Sequence, residues 1–182
     1  MHKIVPKEWK VLETITTPGI STIEYENSIQ WTIDQQRLSI TQEHDAPFRE
    51  YGDSKVYDLA DTYIGILPHV PYSGLGLNCV LSVAREDPSR WITDKFLKIN
   101  LPDTDLRMMP KLSMSLGDVT LNLSLGAGDA KREGSSVSSV IIDCNLHRNG
   151  PFDAEPLRNA IRQWKDTQNQ FTAKLDMILG VQ

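Results

Sequence analysis

The fold is decided by residues 111–125, which read KLSMSLGDVTLNLSL. Apolar and polar side chains alternate in two runs, and Gly117-Asp118 separates them. Successive side chains of a β-strand point to opposite faces, so each run predicts a strand with one apolar face. A two-residue loop that begins with glycine is typical of a hairpin, because glycine adopts positive φ without steric cost. The stretch therefore predicts an antiparallel hairpin.

A third strand is predicted over residues 137–147, VSSVIIDCNLH, because apolar side chains recur at every second position from Val140 to Leu146. The intervening segment 126–136 is rich in glycine, serine and charge, so it is predicted to be a mobile loop. The two cysteines, Cys79 and Cys144, both lie in strand-like runs.

A long C-terminal helix is predicted after Gly150-Pro151, which should end the third strand. Asp153 is a plausible N-cap, and Gly180 is a typical helix stop. Between them, residues recur at steps of four and three, which places them on one face of a helix. This stripe consists of Leu157, Ile161, Trp164, Gln168, Phe171, Leu175 and Ile178. We expect it to pack across the apolar face of the late strands.

The earlier chain supplies further elements. A hairpin is predicted over residues 29–40, and a helix capped by Asp53 or Ser54 should end before Pro68. Residues 75–83 predict a central strand, and Asp87-Pro88 should open a shorter helix. We therefore predict a single α+β domain spanning residues 1–182. Its sheet is mainly antiparallel, with a long C-terminal helix across one face and two shorter inserted helices. Residues 1–18 are predicted to form either an early strand or a docked N-terminal arm.

Composition excludes several classes of function. The chain has 182 residues, 40% of them hydrophobic, and a net charge of −5, which fits a globular protein and argues against a dedicated nucleic-acid binder. No apolar run approaches the roughly 18 residues of a membrane span, and the first ten residues contain no signal-peptide pattern. The two cysteines are predicted to be free thiols, which indicates a reducing compartment. A disulfide between neighbouring strands is the alternative. A cytoplasmic location is expected, or a virion if the chain comes from a phage.

No nucleotide, cofactor or metal motif is found. Neither Gly74-Leu-Gly76 nor Gly126-Ala-Gly128 has the spacing or the strand–turn–helix context of a phosphate loop. The histidines are scattered along the chain, and the cysteines lack partners at metal-binding spacing. We expect neither a cofactor nor a metal.

Two groups of residues are candidates for chemistry. Asp143, Asn145 and His147 share one strand face, where a carboxylate beside an imidazole can support acid–base catalysis. The alternative is an ordinary solvated strand face. A second group, His69, Tyr72 and Asn78, lies in and after a connector bracketed by prolines. Rigid loops of this kind can line a ligand pocket, although such connectors more often only set the angle between elements.

The polar face of the last three strands is almost free of lysine, arginine and glutamate. Its residues are Ser113, Ser115, Thr120, Asn122, Ser124, Ser139, Asp143, Asn145 and His147. Interface cores are depleted of charge, whereas faces left in solvent usually carry both signs. We therefore expect another subunit, or the N-terminal segment, to cover this face. An exposed sheet rich in serine and threonine is the alternative.

Three segments carry a resemblance to a known family. They are the run from Ile29 to Ile40, the helix followed by Leu67-Pro-His-Val-Pro71, and Gly74-Leu-Gly-Leu-Asn78. Together they resemble a family of uncharacterised bacterial and prophage proteins over about half of the chain. The strand that holds Asp143 and the long tryptophan-bearing helix are similar as well. The resemblance implies an α+β fold, and it implies no catalytic residue.

Three functions remain as hypotheses. The first is a non-catalytic interaction or assembly protein that forms a homo-oligomer through the polar face. The second is a module in which sheet and helix enclose a small apolar ligand, as helix-grip folds do. The third is an enzyme that uses Asp143, Asn145 and His147.

Overall fold

The computed structural model describes residues 4–43, 54–97, 109–132 and 134–180. The strands are β1 (Val11–Thr16), β2 (Ile20–Tyr25), β3 (Ile29–Asp34), β4 (Leu38–Gln42), β5 (Tyr72–Ala84), β6 (Lys111–Leu116), β7 (Val119–Arg132) and β8 (Ser135–Phe152). The helices are α1 (Lys55–Ile66), α2 (Pro88–Ile92), α3 (Ala154–Arg162) and α4 (Trp164–Leu179), and a π-helical turn, Thr93–Leu97, follows α2.

The chain divides into two compact units. The first unit comprises Met1–Tyr72 and Phe152–Gln182, and the second comprises Ser73–Pro151. Each contains a four-stranded antiparallel sheet, in the orders β1-β2-β3-β4 and β5-β8-β7-β6. The α+β class with antiparallel strands is therefore confirmed, although the strands form two sheets rather than one. The assignment of the whole chain to one domain stays a prediction.

The first sheet is a meander with its own core. The turn from β3 to β4 is held by Asp34, whose carboxylate accepts hydrogen bonds from the backbone N–H groups of Gln36 and Arg37, both at 2.7 Å. The core cluster consists of Ile23, Tyr25, Ile29, Trp31 and Leu59. Ile4, Val5 and Trp9 of the N-terminal segment pack against this cluster. The segment is thus docked within the first unit.

β1 forms the outer edge of the first sheet, and all of its residues are exposed. Its register with β2 shifts between Val11 and Glu13, which marks a β-bulge at Leu12. Beyond the bulge the pairing is regular as far as Thr16 opposite Ser21.

Helix α1 begins at the cap that the sequence suggests. Ser54 is the N-cap, and its hydroxyl oxygen accepts a hydrogen bond from the Val56 N–H at 3.4 Å. The same hydroxyl donates to Oε1 of Gln42 at 2.9 Å, so the cap also joins α1 to the end of β4. The alternative cap, Asp53, lies outside the described residues.

Helices α1 and α3 pack together within the first unit. The Asp61 carboxylate accepts hydrogen bonds from Nε and Nη2 of Arg158, at 2.8 and 3.1 Å, and it pairs with Arg162 at 3.3 Å. These ion pairs lower the pKa of Asp61, chiefly through the hydrogen bonds from Arg158. The guanidinium group of Arg158 lies beside Gly65, where a Cβ atom would be in ordinary contact at 3.4 Å from Cζ.

The C-terminal region is helical but not one continuous helix. A break at Gln163 separates α3 from α4, and Gly180 ends α4 with a φ of +66°, as the sequence predicts. Leu157, Ile161 and Phe171 of the expected stripe are buried. The helices belong to the first unit and the late strands to the second. Packing of the helices across those strands stays a prediction.

The second sheet contains the predicted hairpin of β6 and β7, in which Leu116 lies opposite Val119 and Gly117 has a φ of +66°. The predicted loop over residues 126–136 is wrong, because β7 and β8 extend as a paired ribbon from Leu125 to Arg132. Small residues permit this pairing. A Cβ atom at Gly128 would lie 3.1 Å from Cγ1 of Ile141, so the glycine provides the space for that side chain.

Two more expectations for this sheet are wrong. β5 lies at the edge of the sheet rather than at its centre, and its exposed positions Gly76, Asn78 and Val80 are consistent with that place. β8 does not end at Gly150-Pro151 but continues through this peptide, which is cis, to Phe152. The inner face of the sheet is buried at Leu121, Leu123, Leu125, Val140, Ile142, Cys144 and Leu146.

Candidate interaction surface

The outer face of the second sheet is an ordered polar surface, which we call the polar grid. Its β6, β7 and β8 positions follow from the strand registers. β5 joins in the same antiparallel sense, because Asn145 bonds Asn78 and the Arg85 N–H donates to the Ser138 carbonyl at 3.1 Å. From β5 to β6, the first row is Gly76, His147, Thr120 and Ser115. The second row is Asn78, Asn145, Asn122 and Ser113, and the third is Val80, Asp143, Ser124 and Lys111.

The middle row is connected by amide hydrogen bonds. Nδ2 of Asn145 donates to Oδ1 of Asn78 at 2.6 Å, and Nδ2 of Asn122 donates to Oδ1 of Asn145 at 3.5 Å. This asparagine row crosses three neighbouring strands. The amide nitrogen of Asn78 and the amide oxygen of Asn122 take no part in these two bonds. The row therefore ends in a donor on one side and an acceptor on the other.

Most of the grid is exposed. Asn78, Thr120, Asn122 and Asp143 are exposed, whereas Asn145 is half-buried between its neighbours. Val80 is 69% exposed, which places an apolar side chain among the polar ones. Four grid positions, Gly76, Asn78, Val80 and Lys111, were missed from sequence, although the period of two in β5 and β6 is consistent with their place on this face.

Ser139 does not belong to the exposed face. Its side chain is fully buried, and its hydroxyl donates to the Val137 carbonyl at 2.9 Å. Alternation along the strand predicted an outward serine, but the position is covered and the hydroxyl is satisfied locally. The outer face is therefore covered at this position.

The structure places Asp143 and His147 in the outer rows of the grid, on opposite sides of the asparagine row. Nε2 of His147 pairs with Oδ1 of Asn149 at 2.7 Å. The imidazole also lies against β5, because a Cβ atom at Gly74 would be 3.4 Å from its Cε1 atom. An acid–base role for Asp143, Asn145 and His147 stays a prediction.

The three proposed ligand-binding residues occupy different surroundings. The Tyr72 hydroxyl donates to the Leu67 carbonyl at 3.1 Å, which closes the connector after α1, and burial raises the pKa of Tyr72. His69 is exposed in the connector, and Asn78 belongs to the polar grid. His69 and Tyr72 lie in the first unit and Asn78 in the second. Their ligand-binding role stays a prediction.

A small apolar cavity of about 30 Å³ lies in the first unit. It is lined by Ile4, Val5, Tyr25, Trp31, Ile33 and Tyr63. Such a volume is close to that of one water molecule, and apolar cavities that bind a benzene ring measure about 150 Å³. The cavity is therefore too small for an organic ligand unless the N-terminal segment moves.

Other kinds of site are not found among the described residues. Within residues 4–43, 54–97, 109–132 and 134–180, no group of three or more histidine, cysteine and acidic side chains is placed to hold a metal ion. In that same part of the chain, no helix has the length and apolar character needed to cross a membrane.

The chain was compared with known proteins. No family model matches it, and neither the curated proteins nor the solved structures contain a significant match.

Proposed function

We propose that the protein is a non-catalytic interaction or assembly protein that self-associates through the polar grid. The observation that carries the proposal is the asparagine row, which is uncharged, exposed at Asn78 and Asn122, and bonded across three strands. Amide side chains offer both a donor and an acceptor, so such a row is complementary to a second copy of itself. Most homo-oligomers use two-fold interfaces, in which the same patch is contributed by both subunits.

A two-fold axis along the asparagine row gives a specific pairing. The middle row then faces its own copy, and the first row of each subunit faces the third row of the other. Val80 lies opposite the partner's Gly76. Because glycine has no side chain, it leaves space for the exposed apolar side chain of Val80. His147 meets the partner's Asp143, which pairs an imidazole with a carboxylate. Packed sheets interdigitate their facing side chains, and these pairings suit that arrangement.

The charge distribution supports the same pairing. The grid carries acidic charge at Asp143 and basic charge at Lys111, both in the third row. The two-fold places neither residue opposite its own copy. Lys111 lies on the edge strand β6, where its ammonium group can stay hydrated at the rim of an interface. Like charges would therefore be kept apart.

The test is the oligomeric state of point variants. Light scattering after size exclusion should give a dimer for the wild-type chain, and Asn122→Lys should give a monomer because position 122 faces its own copy. Asn122→Asp should also be monomeric, and an equimolar mixture of the two variants should restore the dimer. Gln35→Lys, an exposed substitution in the β3–β4 turn, is the control of matched charge and should leave the dimer intact.

Two results would reject the proposal. One is a wild-type chain that stays monomeric up to its solubility limit. The other is a dimer that withstands Asn122→Lys while circular dichroism shows the fold unchanged.

Several finer expectations remain proposals. These are the packing of the C-terminal helices across a sheet face and a cytoplasmic location. The apolar-ligand module and the enzyme built on Asp143 and His147 also stay open as alternatives. Native mass spectrometry of the purified chain, which would show a retained ligand as added mass, tests the ligand alternative.

A further inference from the structure

The two cysteines lie side by side in the second sheet. The Asn78–Asn145 contact and the Arg85–Ser138 hydrogen bond fix the register of β5 against β8, and this register places Cys79 directly opposite Cys144. Asn78 and Asn145 occupy the outer face, so the thiols share the inner face. The Cys144 thiol interacts with that of Cys79 and donates to the Ile142 carbonyl at 3.9 Å.

The register also gives the type of strand pair. The Arg85 N–H donates to the Ser138 carbonyl, so that pair is of the hydrogen-bonded type. Hydrogen-bonded pairs recur at every second position, which makes Cys79 and Cys144 such a pair and Asn78 with Asn145 a closer, non-hydrogen-bonded one. The Cα atoms of a hydrogen-bonded pair are about 5.5 Å apart, inside the usual disulfide range of about 4.4–6.8 Å.

We propose that Cys79 and Cys144 are a modification site, at which a disulfide oxidant such as glutathione disulfide forms a reversible cross-strand disulfide. Cys79 is the entry point, because it is half-buried on an edge strand whereas Cys144 is fully buried. Hydrogen-bonded strand pairs hold their Cβ atoms farther apart than the other type. The bond would therefore be strained, and strained disulfides are the readily reduced ones.

The reaction balances in two steps. The Cys79 thiolate attacks one sulfur of glutathione disulfide, which forms a mixed disulfide and releases one glutathione thiolate. Cys144 then passes its proton to the released glutathione thiolate and attacks the Cys79 sulfur, which forms the protein disulfide and releases the second glutathione as a thiolate that takes a proton from water. The two cysteines are oxidised by two electrons, and glutathione disulfide is reduced to two thiols.

Burial and the neighbouring thiol shape the second step. The pKa of Cys144 is raised, first by its hydrogen bond with Cys79 and then by burial. Once Cys79 is held in the mixed disulfide, it no longer has a thiol proton or a thiolate charge to exchange with Cys144. The largest cause of the raised pKa is thereby removed, while burial and the neighbouring Asp143 still raise it. The position of Cys144 opposite Cys79 makes it the thiol placed to resolve the mixed disulfide.

The experiment is intact-mass spectrometry of the folded chain exposed to glutathione disulfide. The wild-type chain should lose the mass of two hydrogens and stay monomeric on a non-reducing denaturing gel, and dithiothreitol should restore the starting mass. Peptide mapping should find Cys79 linked to Cys144. Cys144→Ser should instead stop at the glutathione adduct on Cys79, and Cys79→Ser should leave Cys144 unmodified.

A stable glutathione adduct on Cys79 of the wild-type chain would overturn the proposal, and so would two thiols that react only after unfolding in urea. The measurement on the wild-type chain decides the matter even if a serine variant fails to fold. The measurement reports thiol chemistry rather than oligomeric state. Its outcome therefore tests the disulfide proposal separately from the proposed self-association.

Discussion

Replacing Asp61 with asparagine tests the contact between α1 and α3. The Asp61 carboxylate receives two hydrogen bonds from Arg158, and the two side chains are 23% and 27% exposed. Exposed ion pairs contribute about 0.2–1 kcal/mol, and a two-pronged arginine contact within a network lies at the top of that range. We therefore expect Asp61→Asn to lower the free energy of unfolding by about 1 kcal/mol at neutral pH.

The loss should depend on pH with a definite sign. The arginines lower the pKa of Asp61 in the folded chain. The stabilisation is thus full above the unfolded-state pKa of about 3.9, and it disappears as the pH falls through the lower, folded-state pKa. Urea unfolding followed by circular dichroism should show wild type and Asp61→Asn differing at pH 7 and converging in strong acid.

The matched control is Asp58→Asn, one turn earlier on the same helix. Asp58 lies in the first turn of α1, where a negative charge contributes only a few tenths of a kcal/mol, about 0.3. Equal losses for the two variants, or a difference between wild type and Asp61→Asn that persists in strong acid, would refute the reasoning.

Three further substitutions test the packing and capping. Phe171→Ala should destabilise the chain by about 3–5 kcal/mol, because the ring is fully buried, whereas Met177→Ala at an exposed site of the same helix should change little; chemical denaturation compares them. Gly128→Val should cost about 1–3 kcal/mol because the new side chain meets Ile141, and the thermal midpoint should recover when Ile141→Ala is added. Ser54→Ala should cost about 1 kcal/mol through loss of the α1 cap, and amide exchange should rise at Val56.

Local signals in the sequence predicted most of the individual elements. Alternation located β6 and the part of β7 from Val119 to Leu125, and Gly117 and Gly180 mark the turn and the helix end where positive φ is needed. Asp53 and Ser54 were the two predicted caps, because a short polar side chain before an apolar helical stripe can bond the free N–H groups, and Ser54 is the cap in the structure. Each of these features depends on residues close together in the chain.

Features set by distant residues were not predictable in the same way. Gly126 and Gly128 read as loop residues, but Ile141, on another strand, fills the space above Gly128 and lets β7 continue. The edge position of β5 depends on which strand pairs with β8, and a single sequence does not show strand partners. For that reason the sequence predicted only part of the asparagine row. Asn122 and Asn145 were placed on the polar face, but Asn78 joins them only through the pairing of β5 with β8.

The bulge at Leu12 has a consequence for how the first unit behaves at high concentration. β1 exposes Val11, Leu12 and Ile15 along an open edge, and such edges are templates for stacking into fibrils. The extra residue shifts the hydrogen-bonding register between the two ends of β1. A strand that adds to this edge can therefore form regular backbone hydrogen bonds along only part of β1. Deleting Leu12 would restore a regular register along that edge and should increase aggregation, which light scattering at rising protein concentration measures.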